Sequence, residues 1–304
     1  MKKFLCINSP EVRLFSKGLV LCFAFGAQAA YPLSASESRA PMLLEKHTAL
    51  TEQLTKNQYR RPLFLESIES SDKVSSTVYA VLDSPFATVN ETLKKPGLWC
   101  EILILHLNTK YCHAHSDSKL EVRIGKKTPQ SLSEAFLLDF SYRISESSAN
   151  YLAVQLLADT GPLSTTDYRI ELQAIPLAGG KTFMYLRYSY GFGVAGRLAM
   201  RTYLATVGRG KVGFTQIAKD QNSAYVGGMR GAVERNTMRY YLAIEAYLAS
   251  LKQTPVLQQN TRLQYWFDAT EEYSEQLREV SKTSYIEMKK DEYQRQKSAS
   301  SKTP

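Results

Sequence analysis

From Val74 to Tyr190 the chain alternates apolar and polar residues at a period of two, and turn residues break the alternation into runs. In Ala135–Ser145, Phe136, Leu138, Phe140, Tyr142 and Ile144 fall on one side, and Asp139, Ser141 and Arg143 on the other. In Asp167–Pro176, Tyr168, Ile170, Leu172 and Ala174 oppose Arg169, Glu171 and Gln173. In Lys181–Tyr190, Met184, Leu186, Tyr188 and Tyr190 oppose Phe183, Tyr185 and Arg187. Such alternation predicts antiparallel strands with one apolar face, a pattern unlike the continuous apolar runs of buried parallel strands. Val74–Asp83, Lys119–Ile124 and Asn150–Ala158 read the same way, and Pro62–Glu69 is an additional candidate. Gly125-Lys126, Ser147-Ser148, Gly161-Pro162 and Gly179-Gly180 separate the runs as turns. The opposite face carries a mixed charge ladder of Asp139, Arg143, Arg169, Glu171 and Arg187, best read as a solvated face with cross-strand pairs.

Helical spacing surrounds this block. Leu43, Leu50 and Leu54 predict a short amphipathic helix within Met42–Tyr59. Ser84-Pro85 supplies an N-cap and a first-turn proline for a helix that Pro96-Gly97 ends. Trp99–Leu107 is apolar throughout and fits helix or strand. Val194–Thr206 is helical, Val212–Ile217 a short strand and Gln221–Gly231 a loop. Ala232–Leu251 is a strong helix with a stripe of Val233, Thr237, Tyr240, Ile244, Tyr247 and Leu251. Leu263–Gln296 is helical with a break near Ser281–Ser284, and the polar residues 297–304 are expected to be disordered.

The first 29 residues read as a secretory signal peptide. Lys2, Lys3, Arg13 and Lys17 precede the short apolar run Leu19–Phe25, and Ala27-Gln28-Ala29 places cleavage at Ala29-Ala30. The expected location is therefore periplasmic or secreted. Cleavage lowers the net charge from +9 to about +6, spread without a basic block beyond Lys289-Lys290. No nucleic-acid partner is expected, while peripheral contact with an anionic membrane surface stays open. Cys100 and Cys112 remain in the mature chain, and an oxidising compartment favours pairing them, worth roughly 3 kcal/mol. The rival is a metal site with His106, His113 and His115, but no recognisable ligand spacing completes it. No metal and no cofactor are expected.

Three further features carry candidate chemistry. Gly191, Gly193 and Gly196 match the dinucleotide-binding G-x-G-x-x-G, but antiparallel flanking strands and the lack of a suitably placed acid favour a plain corner. Arg230, Glu234, Arg235 and Arg239 are the densest helical charge cluster. Arg230 and Glu234 can pair four residues apart, whereas Arg235 and Arg239 repel, so a carboxylate from elsewhere or an anionic ligand is expected beside them. No G-x-S-x-G is present and nothing points to a nucleophile–histidine pair.

The element order, with "VYAVLDSPFATVNETL", "PGLWCEILILHLNTKYC", the strand series and a helix after "KTFMYLRYSY", resembles the START-like (SRPBCC, helix-grip) superfamily over about residues 62–210. The block "GGMRGAVERNTMRYYLAIEAYL" with "WFDATEEYSEQL" resembles uncharacterised exported bacterial proteins. The resemblance implies an α+β fold: a curved antiparallel sheet of about six to seven strands wrapped on a helix, the wrapped space serving lipids, sterols or other apolar molecules. The domain reading is a leader at 1–29, a loose segment with a short helix at 30–61, the helix-grip domain at 62–210, a helical extension at 211–296 and a tail at 297–304. Which helix fills the grip is open. The leading expectation is an exported carrier of an apolar or amphipathic molecule, bound without covalent chemistry. Its candidate contacts are Phe140, Tyr142, Tyr168, Tyr188, Tyr190, Arg235, Arg239 and Tyr240. An enzyme acting on a hydrophobic or aromatic substrate in the same cavity, and an envelope protein-interaction module without ligand, are the alternatives. Oligomeric state is left open.

Overall fold

The alternating runs form one eight-stranded sheet. The structure, a computed structural model, describes residues 39–219 and 222–300. The leader, residues 30–38 of the loose segment and residues 301–304 of the tail lie outside the described residues. Helices α1 (Ala40–Ala49) and α2 (Thr51–Thr55) lead into strands β1 (Leu63–Glu69) and β2 (Lys73–Leu82). Helices α3 (Phe86–Leu93) and α4 (Pro96–Leu103) follow. The meander is β3 (Thr109–Ser116), β4 (Lys119–Ile124), β5 (Phe136–Ser147), β6 (Leu152–Thr160), β7 (Thr165–Leu177) and β8 (Lys181–Phe192). After α5 (Val194–Ala205) come β9 (Gln216–Lys219) and β10 (Asn222–Tyr225), then α6 (Gly228–Ser250), α7 (Pro255–Glu271), α8 (Ser274–Leu277) and α9 (Lys282–Ser300).

Every pairing is antiparallel, in the order β1-β2-β8-β7-β6-β5-β4-β3. The register explains the two faces. Val78 pairs Leu186, Leu186 pairs Leu172 and Leu172 pairs Val154, so one apolar row runs across four strands. Each of these side chains is buried, worth about 1.5–3 kcal/mol relative to exposure. The loop between β7 and β8 turns on Gly179 and Gly180, both at positive φ (73° and 67°), where a side chain would be strained.

The sheet has one strand more than the upper expectation, because β3 had not been read as a full strand. Trp99–Leu107 resolves as α4 and a following turn. The gripped helix is α6, which packs on β1, β2 and β8 and is flanked by α4, α5 and α7. It is therefore buried on nearly all sides, not along one stripe: Glu234, Arg235, Met238, Arg239, Tyr241 and Leu242 are all inside. Since α6 supplies the core, a boundary at 210/211 does not separate a grip domain from an extension, and the described residues form one compact unit. The expected helical extension contains the β9–β10 hairpin, whose first strand starts at Gln216, near the end of the short strand expected at Val212–Ile217, and whose second strand falls in the expected loop. Helix α9 runs through Lys297 to Ser300, so residues 297–300 of the expected tail are helical.

The charged face is not simply solvated. Leu43, Leu50 and Leu54 of α1–α2 cover its β2–β8–β7–β6 end, packing with Tyr79, Tyr151, Ile175 and Phe183. Helix α9 instead docks on the edge strand β3 from the apolar side, where its Tyr285 and Met288 join the main core with Cys112. Lys110 and Lys289, both with no exposed side-chain surface, share Glu292 at 2.9 and 2.7 Å. Lys289 also donates to the carbonyls of His106 and Thr109 at 2.7 Å, and Gln296 Oε1 accepts from the Cys112 N–H at 3.1 Å. Cys100 of α4 and Cys112 of β3 form a disulfide with a Cα–Cα distance of 5.1 Å.

Candidate functional site

The sequence-chosen aromatic residues divide between two places. Phe140 and Tyr142 stand on β5, in the half of the sheet over α3 and α4. The Tyr142 hydroxyl donates to the Leu93 carbonyl at 2.7 Å, which also accepts from Trp99 Nε1 at 2.8 Å. These hydrogen bonds fix the C-terminal end of α3, and Tyr142 has no hydroxyl to offer a ligand.

Tyr168, Tyr188 and Tyr190 gather at the other end, on β7 and β8, and meet Tyr240 of α6. Ring centroids lie 5.4 Å apart for Tyr168–Tyr190, 5.9 Å for Tyr188–Tyr190 and 5.3 Å for Tyr188–Tyr240. His106 stacks on the far side of Tyr240 at 4.9 Å. Tyr168 is set by an irregular stretch. Leu163, Ser164 and Asp167 all take positive φ, and the β7–β8 register slips between Thr166 and Arg169. Its ring lies over Gly161, where an added Cβ would come within 2.0 Å of Cε2, and its hydroxyl bonds Thr165 Oγ1 at 2.8 Å. Non-glycine residues in the left-handed region cost free energy and persist where surrounding structure holds them. Gly196 extends this contact: a Cβ there would sit 2.5 Å from the Ser164 carbonyl, so α5 starts close against the turn.

The hydroxyls of Tyr188, Tyr190 and Tyr240 make no hydrogen bond among the described residues. Burial, followed by neighbouring hydroxyls, raises all three well above the ordinary phenol value. Tyr240 still keeps part of its surface accessible.

The polar cluster beside these tyrosines is cationic. Arg239 Nη2 lies 3.0 Å from Glu279, Lys127 Nζ 2.6 Å and Lys211 Nζ 3.4 Å. Among the described residues Arg235 has no carboxylate partner; its Nη1 donates to the Val212 carbonyl at 3.0 Å. One carboxylate thus serves three cations, with a fourth alongside. Burial first, and the Arg239 charge second, hold Lys127 down to about 8 and Arg235 to about 10. The same cations hold the Glu279 carboxyl below its ordinary value against the opposing effect of burial. Glu234, expected to pair with Arg230, sits 4.0 Å from it. Its oxygens instead accept from the Phe214 and Thr215 N–H groups at 2.6 and 2.9 Å, and from the Thr215 and Ser67 hydroxyls. It fastens α6 to β1 and to the segment before β9.

An open groove of about 520 Å³ lies beside this cluster. Glu69, Arg201, Leu204, Lys211, Val212 and Met229 are among its lining residues. Lys211 and Val212 therefore belong both to the groove and to the cation cluster.

Sequence reasoning missed Lys127, Lys211, Glu279, His106 as a partner of Tyr240, and Tyr203, whose hydroxyl feels Glu279, Arg235 and Arg239. The requirement that something acidic meet Arg239 was the signal available, and Glu279 answers it. The histidines do not converge: His106 is buried beside Tyr240, whereas His113 and His115 are neighbours on β3, and His115 meets Glu121 at 3.1 Å. Among the described residues no group of three or more His, Cys, Asp or Glu could hold a metal.

No family model and no curated protein matches the chain. Solved structures do. Human StAR-related lipid transfer protein 5 is 11% identical, with a TM-score of 0.36, covering 70% of this chain and 99% of that one. A START superfamily protein from Mycobacterium smegmatis is 12% identical at a TM-score of 0.35, over 60% of this chain and 99% of its own. Norcoclaurine synthase from Thalictrum flavum is 10% identical at 0.31, over 48% and 78%. On its own element order, a strand, two short helices, an antiparallel meander and a helix held against the apolar face, the chain has a START-like (SRPBCC, helix-grip) α+β fold.

Proposed function

We propose that this protein binds an apolar or amphipathic small molecule between β7–β8, α5 and α6, with the groove beside Lys211 and Val212 as its entrance. One observation carries the reading: three adjacent tyrosines, Tyr188, Tyr190 and Tyr240, are strongly desolvated, and their hydroxyls have no hydrogen-bond partner among the described residues. Buried polar groups are normally hydrogen-bonded, and leaving one unpaired costs about 1–3 kcal/mol. A ligand with an apolar body against the rings and an acceptor toward the hydroxyls would satisfy them. Phe140 and Tyr142 are left to the core. A fluorescence titration with the neutral probe N-phenyl-1-naphthylamine tests this. Saturable enhancement at one probe per chain, weakened by Tyr190→Ala, is expected; no saturable signal would remove the reading. The sequence of residues 1–29 supports an exported setting, which N-terminal sequencing of the mature protein checks; a retained leader would contradict it.

A second reading, an enzyme acting in the same space, is favoured by Lys127, whose lowered value of about 8 suits proton transfer. It predicts that a bound amphiphile is recovered chemically altered. Unchanged recovery after prolonged incubation would eliminate it.

A further inference from the structure

The free polar atoms around the tyrosine cluster are one-sided. His106 Nδ1 accepts from the Asn108 N–H at 3.1 Å, so its hydrogen resides on Nε2, a buried atom that completes no hydrogen bond among the described residues, with the Asn236 side chain standing beside it. Arg239 Nε is a second buried N–H with no partner. The phenol groups of Tyr188, Tyr190 and Tyr240 can also donate. Tyr190 stands near Arg235, Tyr240 near Arg239, and His106 near Arg239 and Lys127; of the carboxylates, Glu279 is already shared three ways and Glu69 acts on Tyr190 from the groove. A neutral sterol or hydrocarbon would leave these donors as they are. An oxyanion, with several acceptor lone pairs and a negative charge, matches them in chemistry and sign.

We propose that Arg235, Arg239, Lys127 and His106 Nε2 form the seat of an anionic headgroup, a carboxylate or phosphate, on an amphiphile whose apolar part lies against Tyr168, Tyr188 and Tyr190. The proposal rests on the binding site argued above and adds the chemical class of what it holds. Five segments face the seat. Helix α6 brings Arg235, Arg239 and Tyr240, and α5 brings Tyr203. The segment after β4 brings Lys127, and the segment between α8 and α9 brings Glu279; Lys211 closes it from before β9. Both Lys127 and Arg235 bind their protons less firmly than usual because of burial and of each other's neighbours, the condition an added anion would relieve.

The test is competition on delipidated full-length protein carrying N-phenyl-1-naphthylamine, with oleate, oleyl phosphate, oleyl alcohol and inorganic phosphate as competitors. Oleate or oleyl phosphate is expected to displace the probe at concentrations at least about tenfold below oleyl alcohol, the scale of one charge-assisted hydrogen bond. The better of the two identifies the headgroup. Arg235→Gln should narrow that ratio to less than about threefold; Lys127→Gln is the second variant should the first fail to fold. Equal displacement by oleate, oleyl phosphate and oleyl alcohol overturns the anionic seat and leaves the amphiphile site standing. Failure of all three overturns both. Inorganic phosphate matching the lipid anions assigns the seat to a free anion and overturns the amphiphile form.

Discussion

Replacing Lys127 with methionine is expected to stabilise the ligand-free protein while weakening its hold on an anion. Lys127 sits 2.6 Å from Glu279, yet Arg239 and Arg235 stand close by and its side chain is only 22% exposed. The balance is unfavourable: its proton is bound with a value of about 8 where an ordinary lysine has 10.5. At 1.36 kcal/mol per unit, the folded state bears a penalty of at most about 3 kcal/mol, and residual solvent contact reduces it to roughly 1–3 kcal/mol. Methionine keeps the length of the side chain and removes the charge, and Glu279 retains Arg239 and Lys211. At pH 7 the melting temperature should therefore rise by roughly 2–8 °C for a chain of this size. The pH dependence gives the sharper readout. Because the folded value lies below the unfolded one, the folded form holds fewer protons between them, so the penalty is full below about pH 8 and fades as pH rises toward 10.5. Lys289, also held to about 8, titrates in the same window in both proteins, so the difference between wild type and Lys127→Met isolates Lys127. Chemical denaturation at pH 7, 8, 9 and 10 should show the variant's advantage shrinking toward zero. A variant less stable by more than about 1 kcal/mol at pH 7, or an advantage constant across the series, would refute the reasoning.

Three further outcomes follow from the same structure. Glu234→Gln removes a buried carboxylate that accepts from two backbone N–H groups and two hydroxyls, and should cost about 2–4 kcal/mol in urea denaturation; a loss under about 0.5 kcal/mol would mean α6 is not fastened there. Cys100→Ser with Cys112→Ser opens a cross-link spanning 12 residues, with an expected loss of about 2–3 kcal/mol that should match the effect of reduction in the wild type; an unchanged melting temperature would contradict the pairing. Tyr188→Phe deletes a strongly desolvated hydroxyl with no hydrogen-bond partner among the described residues, so the ligand-free protein should be within about 0.5 kcal/mol of wild type or more stable; a loss above about 1.5 kcal/mol would contradict an unpaired hydroxyl.

The strands were legible because one face had to be apolar, and Phe140, Leu172 and Leu186 advertise that face at a period of two. Strand β3 was less so. Lys110 reads as a surface residue and becomes buried only because Glu292, far along the chain, comes to meet it. Helix α4 is a short all-apolar run, for which periodicity cannot choose between helix and strand. The gripped helix was identifiable as strong but not as central, since its arginines and Glu234 look solvent-facing until their distant partners are known. The site divides in the same way. Tyr168, Tyr188 and Tyr190 follow from the alternation and Arg235–Arg239 from helical spacing. Lys127 lies in a turn and Glu279 in a break between helices, positions where no local pattern marks a side chain as inward.

Native mass spectrometry of protein purified from its own cells without detergent, followed by organic extraction and negative-ion analysis, tests the central claim most directly. The account predicts one acidic amphiphile per chain, depleted in the Arg235→Gln variant. A chain of unmodified mass with nothing in the extract, or a neutral lipid retained equally by both proteins, would contradict it.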